Sequence, residues 1–411
     1  MVLSHLKPNQ KLAAAAKIPS FEKNTLAATQ ATWRFLANKK VTISKLMEPL
    51  LALSLDGIEQ YCAEYALVVH DWSGLQYSKH HGKTDKKELH NKYELGYELQ
   101  TSLALSDRTG LPIGVLVQNV THCSGVLSSY QGDVTQPELS HLKELSARVK
   151  WIGKQAIKQK KVHIVDREGD AVEWLRANED ELWLIRCRKN STVTYQEKSY
   201  QVQELAELLS FSENATEILF QGKKAYQTVA YADVTLARPA QPKPKKGEKA
   251  VKIPGKSLAA RYVVTKVLNE QGECVAQWHL LTNVLTNDVS PEKIALWYYW
   301  RWKIECFFKL LKQQGLQAED WQQESALAIT KRLMIATQAC VFVWQLQHDD
   351  SPESIETQMF LVRLSGRQMK KNRPITPSAL LDGLWFFLAS MSLLESYTFE
   401  QLSIFKQRLK I

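Results

Sequence analysis

Cysteine is scarce and scattered. The six residues, Cys62, Cys123, Cys187, Cys274, Cys306 and Cys340, never form a Cys-x-x-Cys pair. That spacing argues against a thiolate zinc site and fits reduced thiols in a cytosol. Long hydrophobic runs are missing too. The longest, Leu384 to Leu394, falls short of the roughly 20 residues a bilayer span needs, and it begins beside Asp382. No signal-like segment opens the chain and no internal repeat is found. The expectation is a cytoplasmic protein with no membrane partner. Acidic side chains are in the minority, 43 against 53 Lys and Arg, for a net charge of +10. Such an excess favours an acidic partner, most simply nucleic acid. With 45% hydrophobic and 23% charged residues over 411 positions, the chain can build a large core and two or three domains.

Proline and glycine are absent from Tyr298 to Lys312, and Gly315 follows. The stretch reads as the body of a helix that begins near Pro291. Seven residues make nearly two turns, so Tyr298, Glu305 and Lys312 are expected to stack on one face, with Arg301 between the first two. A carboxylate flanked by Arg and Lys suits a metal-bound phosphate substrate: the acid holds the cation and the basic groups take phosphate oxygens. A surface Arg–Glu pair on an amphipathic helix has the same spacing.

Two apolar runs each end in an aspartate: Tyr65-Ala66-Leu67-Val68-Val69-His70-Asp71 and Val162-His163-Ile164-Val165-Asp166, the latter continuing Arg167-Glu168-Gly169-Asp170. Each is expected to be a strand with its acid at the end. Two such aspartates and a helix glutamate form the donor set of two-metal phosphoryl transfer, provided the fold brings them together. Asp71 is chosen over Asp85, Asp56 and Glu64 because it alone ends an apolar β run.

Helical spacing over Phe21–Ala37 and Ile43–Leu55 flanks Arg34-Phe35-Leu36-Ala37-Asn38-Lys39-Lys40-Val41-Thr42. Thr42 or Ser44 can cap the second helix. Arg34, Asn38, Lys39 and Lys40 could lie on a phosphate backbone, or form a solvated turn between two packing helices. Strands are expected at Tyr65–His70, Tyr93–Leu105, Pro112–Thr121, Val162–Val165 and Leu182–Cys187, with helices over Pro137–Lys158 and Asp170–Asn178. That order is the order of an RNase H-like core. Residues 188–284 read as strand-rich, at Thr192–Tyr195, Tyr226–Thr235, Ala260–Leu268 and Val275–Leu281. They include a Pro- and Lys-rich loop from Arg238 to Lys249 that could contact DNA. A further long helix is expected over Leu327–Gln347. Three short helices follow, joined by a basic turn from Ser365 to Pro374, and they could pair two protomers, touch DNA or pack on their own chain.

Taken together, the two aspartate runs and Tyr298-x-x-Arg301-x-x-x-Glu305-x6-Lys312 resemble the signature of bacterial insertion-sequence transposases of the DDE type, in the branch with the Tyr-Arg-Glu-Lys motif. The resemblance runs from about Thr29 to about Val343. It implies an α/β fold with an RNase H-like core interrupted by a β-rich insertion and flanked by helical ends. The parts would be an end-binding domain over 1–60, core over 61–187 and 285–347, insertion over 188–284, and a helical tail over 348–411. It implies Asp71, Asp166 and Glu305 as catalytic metal ligands for two Mg²⁺ ions per site, with Mn²⁺ as substitute. Asp170 would be a lesser acid or a helix cap.

By the same resemblance Arg186 would touch DNA near the cut. Tyr298, Arg301 and Lys312 would grip phosphates, and Trp278 and Trp302 would stack a flipped base; core packing is the competing role for either tryptophan. The implied activity is cut-and-paste transposition through a DNA hairpin, by a homodimer on the element's terminal inverted repeats and target DNA, associated with the bacterial nucleoid. Two rival readings are a catalytically inactive transposase-derived DNA-binding protein or inhibitor, and an RNase H-type nuclease.

Overall fold

The computed structural model describes residues 25–241, 251–286, 288–368 and 374–409. The start of the first expected helix, the tip of the Pro- and Lys-rich loop and half of the Ser365–Pro374 turn lie outside them. The protein is a mixed α/β fold built on one sheet. The helices α1 (Thr25–Ala37) and α2 (Ile43–Tyr61) lead into β1 (Tyr65–Gln76), β2 (Lys87–Glu88), β3 (Leu95–Ser106), β4 (Pro112–His122), β5 (Gly125–Ser128) and β6 (Gly132–Gln136). Next come α3 (His141–Gly153), β7 (Lys160–Val165), α4 (Val172–Ala177) and β8 (Leu182–Arg186).

The strand-rich part follows as β9 (Thr192–Tyr195), β10 (Lys198–Gln201), α5 (Val202–Leu208), β11 (Thr216–Phe220), β12 (Lys223–Leu236), β13 (Leu258–Leu268) and β14 (Cys274–Thr282). The chain then turns helical: α6 (Pro291–Trp300), α7 (Trp302–Lys309), α8 (Ala326–His348), α9 (Pro352–Ser365), α10 (Pro377–Ser396) and α11 (Phe399–Arg408).

Strand order is β10-β9-β12-β13-β14-β8-β7-β1-β3-β4-β5-β6. β1, β7 and β8 are parallel neighbours, while on the other side β3 pairs antiparallel with β1 and β4 antiparallel with β3. The strand-rich part does not stand off as a separate sheet. Its last strand, β14, pairs antiparallel with β8, Thr282 opposite Leu184. β1 and β7 are the apolar middle of the sheet, buried on both faces, as near-continuous Val, Ile and Leu runs require.

One face carries Leu67, Val69, Ile164 and Leu184 under Trp297, Ile304, Phe307 and Trp344 of the later helices. The opposite face is closed in two patches: Ile58 of α2 against Ala66 and Val68, and Leu145 and Val149 of α3 against Val165 and Ile185.

Several local expectations are corrected. β1 does not stop at Asp71 but runs on to Gln76, because Trp72 through Gln76 keep their pairing with β3. The helix expected over Pro137–Lys158 is trimmed to His141–Gly153, and a hairpin, β5–β6, precedes it. Gly132 at positive φ permits that tight return, and Gly125 the one from β4 into β5. The Tyr298–Lys312 helix is not continuous. It tightens at Arg301, whose amide reaches the Tyr298 carbonyl, and it widens to a π-turn over Leu310–Gln314.

Of the three C-terminal helices expected to be short, Pro377–Ser396 has 20 residues. It and Ala326–His348 are both long and apolar enough to cross a membrane, which corrects the expectation from the Leu384–Leu394 run. The apolar window of Ala326–His348 is 61% buried in the core, that of Pro377–Ser396 28%. Length and composition do not separate a span from a core helix.

The N-terminal basic turn is tied down from inside the protein. Thr42 caps α2 by accepting from the Lys45 amide at 3.3 Å. Asp133 of β6 accepts from the Ile43 amide at 2.6 Å, and Lys331, 1% exposed, donates to the Asn38 carbonyl at 3.2 Å and pairs with Asp133 at 3.5 Å. Arg34, Asn38, Lys39 and Lys40 stay exposed on this anchored turn.

Candidate active site

Strand register explains how two acids almost a hundred residues apart meet. β1 and β7 pair with Val69 opposite Ile164, so two residues on, Asp71 comes level with Asp166. β7 and β8 pair with Val165 opposite Ile185, so the next step brings Asp166 level with Arg186. Parallel neighbours in register point to the same face. Asp71, Asp166 and Arg186 therefore form a row across three strands, on the face covered by the α6–α7 helix.

Ser290 caps that helix by accepting from the Lys293 amide, and Pro291 occupies its first turn. Trp297, packed on Tyr65, and Ile304 bury its inner stripe, which lays Tyr298, Arg301 and Glu305 over the row.

The centre of the arrangement is a guanidinium. Arg301, 8% exposed, places Nη1 3.1 Å from Asp71 Oδ2, and Nη2 2.9 Å from Glu305 Oε1 and 3.7 Å from Asp166 Oδ2. All three predicted carboxylates converge on this one side chain. Tyr298 donates its hydroxyl to Asp166 Oδ1 at 3.1 Å, and Arg186 stands 3.8 Å from the same oxygen. The backbone contributes as well: the amides of Trp72 and Arg167 donate to Asp71 and Asp166 at 2.9 and 2.7 Å. Burial raises the Asp71 carboxyl above its usual range; Arg301 and the Trp72 amide oppose this, while Glu305 and Asp166 add to it. Burial also pushes the Tyr298 phenol up, so it remains a proton donor to Asp166 at neutral pH.

The fallback acids are placed elsewhere. Asp85 accepts from Tyr97 and from the Ala326 amide, fixing the start of α8. Glu64 pairs with Lys160, and Asp56 is exposed on α2. Asp170 is not among the acids that meet at Arg301; it closes the 3-10 turn Arg167–Gly169 as its C-cap, its amide donating to the Arg167 carbonyl at 3.2 Å. Its buried carboxylate accepts from Arg238, from Ser191 and from the Arg188 amide, which fastens the run after Asp166 to the strand-rich part.

Lys312 departs from the expected stack. The π-turn shifts it, and its ammonium lies 4.0 Å from Glu319. Among the described residues no ion pair or hydrogen bond joins Lys312 to the three acids. Trp278 is half-buried between Phe220 and Tyr298, whereas Trp302 is 50% exposed with Lys309 4.9 Å above its ring.

Sequence reasoning missed the support beneath Asp71. On the far face of β1, His70 and His163 share a 2.8 Å hydrogen bond, and both are fully buried and held neutral by burial. Arg148, also fully buried, pairs with Glu144 at 2.8 Å and donates to the Thr101 carbonyl at 2.7 Å. Thr101 is the residue opposite Asp71 in β3. Trp72 lies under Arg148 and stacks on His141, which bridges Glu98 and Glu168. The only sequence signal was charge on the apolar face of a helix.

Three carboxylates supply hard oxygen donors of the kind Mg²⁺ takes. Their convergence within 3.7 Å of one cationic group fits a divalent site in donor chemistry and charge. As arranged, the guanidinium fills the space between them. Among the described residues no group of three His, Cys, Asp or Glu side chains is spaced to hold an ion directly.

What fold and cluster define is an α/β protein whose sheet and one helix assemble a Asp-Asp-Glu site. Comparison with known families gives the next step: residues 139–342 match the transposase DDE domain family. The match takes in Asp166 and Glu305 and starts after Asp71. No curated protein matches this chain in sequence.

Proposed function

We propose that this protein is a DNA transposase that excises and inserts a mobile element by hydrolysis and transesterification of phosphodiesters. The single observation that carries the reading is the convergence of Asp71, Asp166 and Glu305 on one point, two of them inside the matched domain. The strand order around β1, with β3 and β4 antiparallel on one side and β7 and β8 parallel on the other, supports an RNase H-like core. On that reading residues 188–284 are an insertion, residues 1–60 an end-binding domain and the helices after 348 a tail.

Asp71, Asp166 and Glu305 would hold Mg²⁺, which when bound polarises phosphate oxygens and lowers the pKa of water. The chain's own groups do the positioning. Tyr298 and the Arg167 amide fix one oxygen of Asp166, and the Trp72 amide fixes Asp71. Arg186, at the rim of the row, would meet a phosphate beside the acids. Trp302 offers an open ring for an unstacked base, and it supports the hairpin step better than the packed Trp278. The net charge of +10, the exposed Arg34–Lys40 turn and the basic loop beyond Arg238 supply phosphate attraction along a duplex. A homodimer on the two element ends and a cytoplasmic, nucleoid-associated location belong to the same reading.

The test is Mg²⁺-dependent nicking of a duplex carrying an element end, with products resolved on a denaturing gel. The wild type should nick it, and Glu305→Gln should bind without cutting. Binding without cleavage by the wild type would favour a DNA-binding module with an inactive site. The plugged arrangement of the three acids around Arg301 is the observation that keeps this second reading alive. Preferential cleavage of an RNA–DNA hybrid would point to an RNase H-type nuclease.

A further inference from the structure

Arg301 is the residue whose position the proposed chemistry does not explain. A group that grips substrate phosphate should face outward, yet this one is 8% exposed and turned into the acids. Its two terminal nitrogens reach Asp71, Glu305 and Asp166 at 3.1, 2.9 and 3.7 Å. Without it, three carboxylates from three separate elements would crowd a partly desolvated point, at a repulsive cost. With it, their formal charge falls from −3 to −2, and Arg186 at 3.8 Å from Asp166 brings it nearer neutrality.

The same oxygen lone pairs cannot serve a guanidinium and a divalent cation at once. We infer that Arg301 is a built-in counter-cation that holds the three acids assembled before metal arrives and competes with metal for them. This rests on the reading of the triad as a metal site.

The inference assigns Arg301 a positioning role distinct from a phosphate contact. Ion entry requires the guanidinium to let go of Asp71 and Glu305. The helix is built for such a release. Arg301 sits at the joint between α6 and α7, where the helix locally tightens, and among the described residues its partners by hydrogen bond or ion pair are the three acids and helix backbone. A freed guanidinium presents a planar fork suited to a phosphate. Loading of the site and the availability of Arg301 are then two sides of one equilibrium, and each must favour the other.

The experiment uses full-length protein without DNA and Mn²⁺ as the probe, with free Mn²⁺ read by electron paramagnetic resonance and thermal unfolding measured with and without the ion. Arg301→Ala should bind Mn²⁺ about tenfold tighter than the wild type. Its unfolding temperature should be lower without the ion and rise further when the ion is added. Arg301→Lys keeps a charge but not the fork, so it should bind with intermediate affinity. It carries the comparison if the alanine variant folds only with Mn²⁺ present, an outcome that itself supports the inference. Equal or weaker binding by both variants would overturn it. Glu305→Gln separates the two levels: it should lose binding if the triad holds the ion, whatever Arg301 does. Binding unchanged in Glu305→Gln would place the ion elsewhere and overturn the triad reading with the inference.

Discussion

Arg148 gives the sharpest test of what holds Asp71 in place. Its side chain has no exposure and Glu144 is almost as buried. The guanidinium makes a 2.8 Å ion pair to Glu144 and donates 2.7 and 3.2 Å hydrogen bonds to the Thr101 carbonyl and Ser102 hydroxyl. Arg148→Met keeps much of the volume and removes every one of these contacts. Glu144 would be left with the Asn119 amide at 3.1 Å as its hydrogen-bonded partner.

Removing one member of a buried pair costs about 3–5 kcal/mol, chiefly because the other charge remains desolvated. The whole loss should therefore not persist when the orphan is neutralised. Glu144→Gln added to Arg148→Met should recover a large part of it, on the order of half, since a buried pair replaced together is often near neutral. Urea unfolding followed by tryptophan fluorescence measures both variants, and their midpoints should differ clearly.

A single variant within about 1 kcal/mol of wild type would refute the claim that this pair is a buried structural ion pair. A double variant no better than the single would refute the claim that the orphaned carboxylate is the cause. Because Thr101 lies opposite Asp71, the single variant should also lose nicking activity under conditions where it remains folded.

Two further outcomes follow from the same geometry. Trp302→Ala removes an exposed ring and should change stability by no more than about 0.5 kcal/mol. Affinity for DNA with an unpaired base near the cut should nevertheless drop by about 1–3 kcal/mol, measured by fluorescence anisotropy. Its failure to weaken such binding would remove Trp302 from the site. His141 is the pH-sensitive group: the hydrogen bonds it donates to the Glu168 and Glu98 carboxylates raise its imidazole from about 6.5 to about 10. A raised pKa means the folded state holds the proton more tightly. The stabilisation is therefore complete below about pH 6.5 and disappears as pH climbs towards about 10. Unfolding temperatures between pH 6 and 10 should fall for the wild type and fall less for His141→Gln, and parallel curves would contradict this.

Asp166 and Glu305 were legible in sequence because each sits where local pattern is strongest, one after a short β run that is mostly apolar and one inside a long stretch without helix breakers. Asp71, which the fold brings beside Asp166 and Glu305 at Arg301, was chosen for a partly wrong reason. The apolar run ends there, but the strand does not, since β3 continues to pair with Trp72 through Gln76. Lys312 shows where periodicity fails: a seven-residue stack presumes one unbroken α-helix, and this helix tightens at Arg301 and opens to a π-turn after Lys309. The β5–β6 hairpin and β10 and β11 were missed because strands of four or five residues leave little alternation to read. Arg148 and Lys331 were invisible for another reason. A charged residue on a helix looks like a solvated one until the partner that buries it is known, and here those partners are distant strands and turns.

The geometry of the site depends less on the length of the strand-rich part than its size suggests. That part follows Arg186 in the chain, extends the same sheet, and could displace everything after it. It does not, because its last strand, β14, returns to pair with β8, Leu280 opposite Arg186 itself. The chain then needs only the segment from Asn283 to Ser290 to start the helix that carries Tyr298, Arg301 and Glu305. Asp71, Asp166 and Arg186 are fixed by register in one row, and a one-residue slip of β1 or β7 would turn an acid to the opposite face. Both strands are buried on both sides, so such a slip would disturb two cores at once. The row is thus set by packing far from the acids, and the helix is delivered to it by a strand that borders the same row.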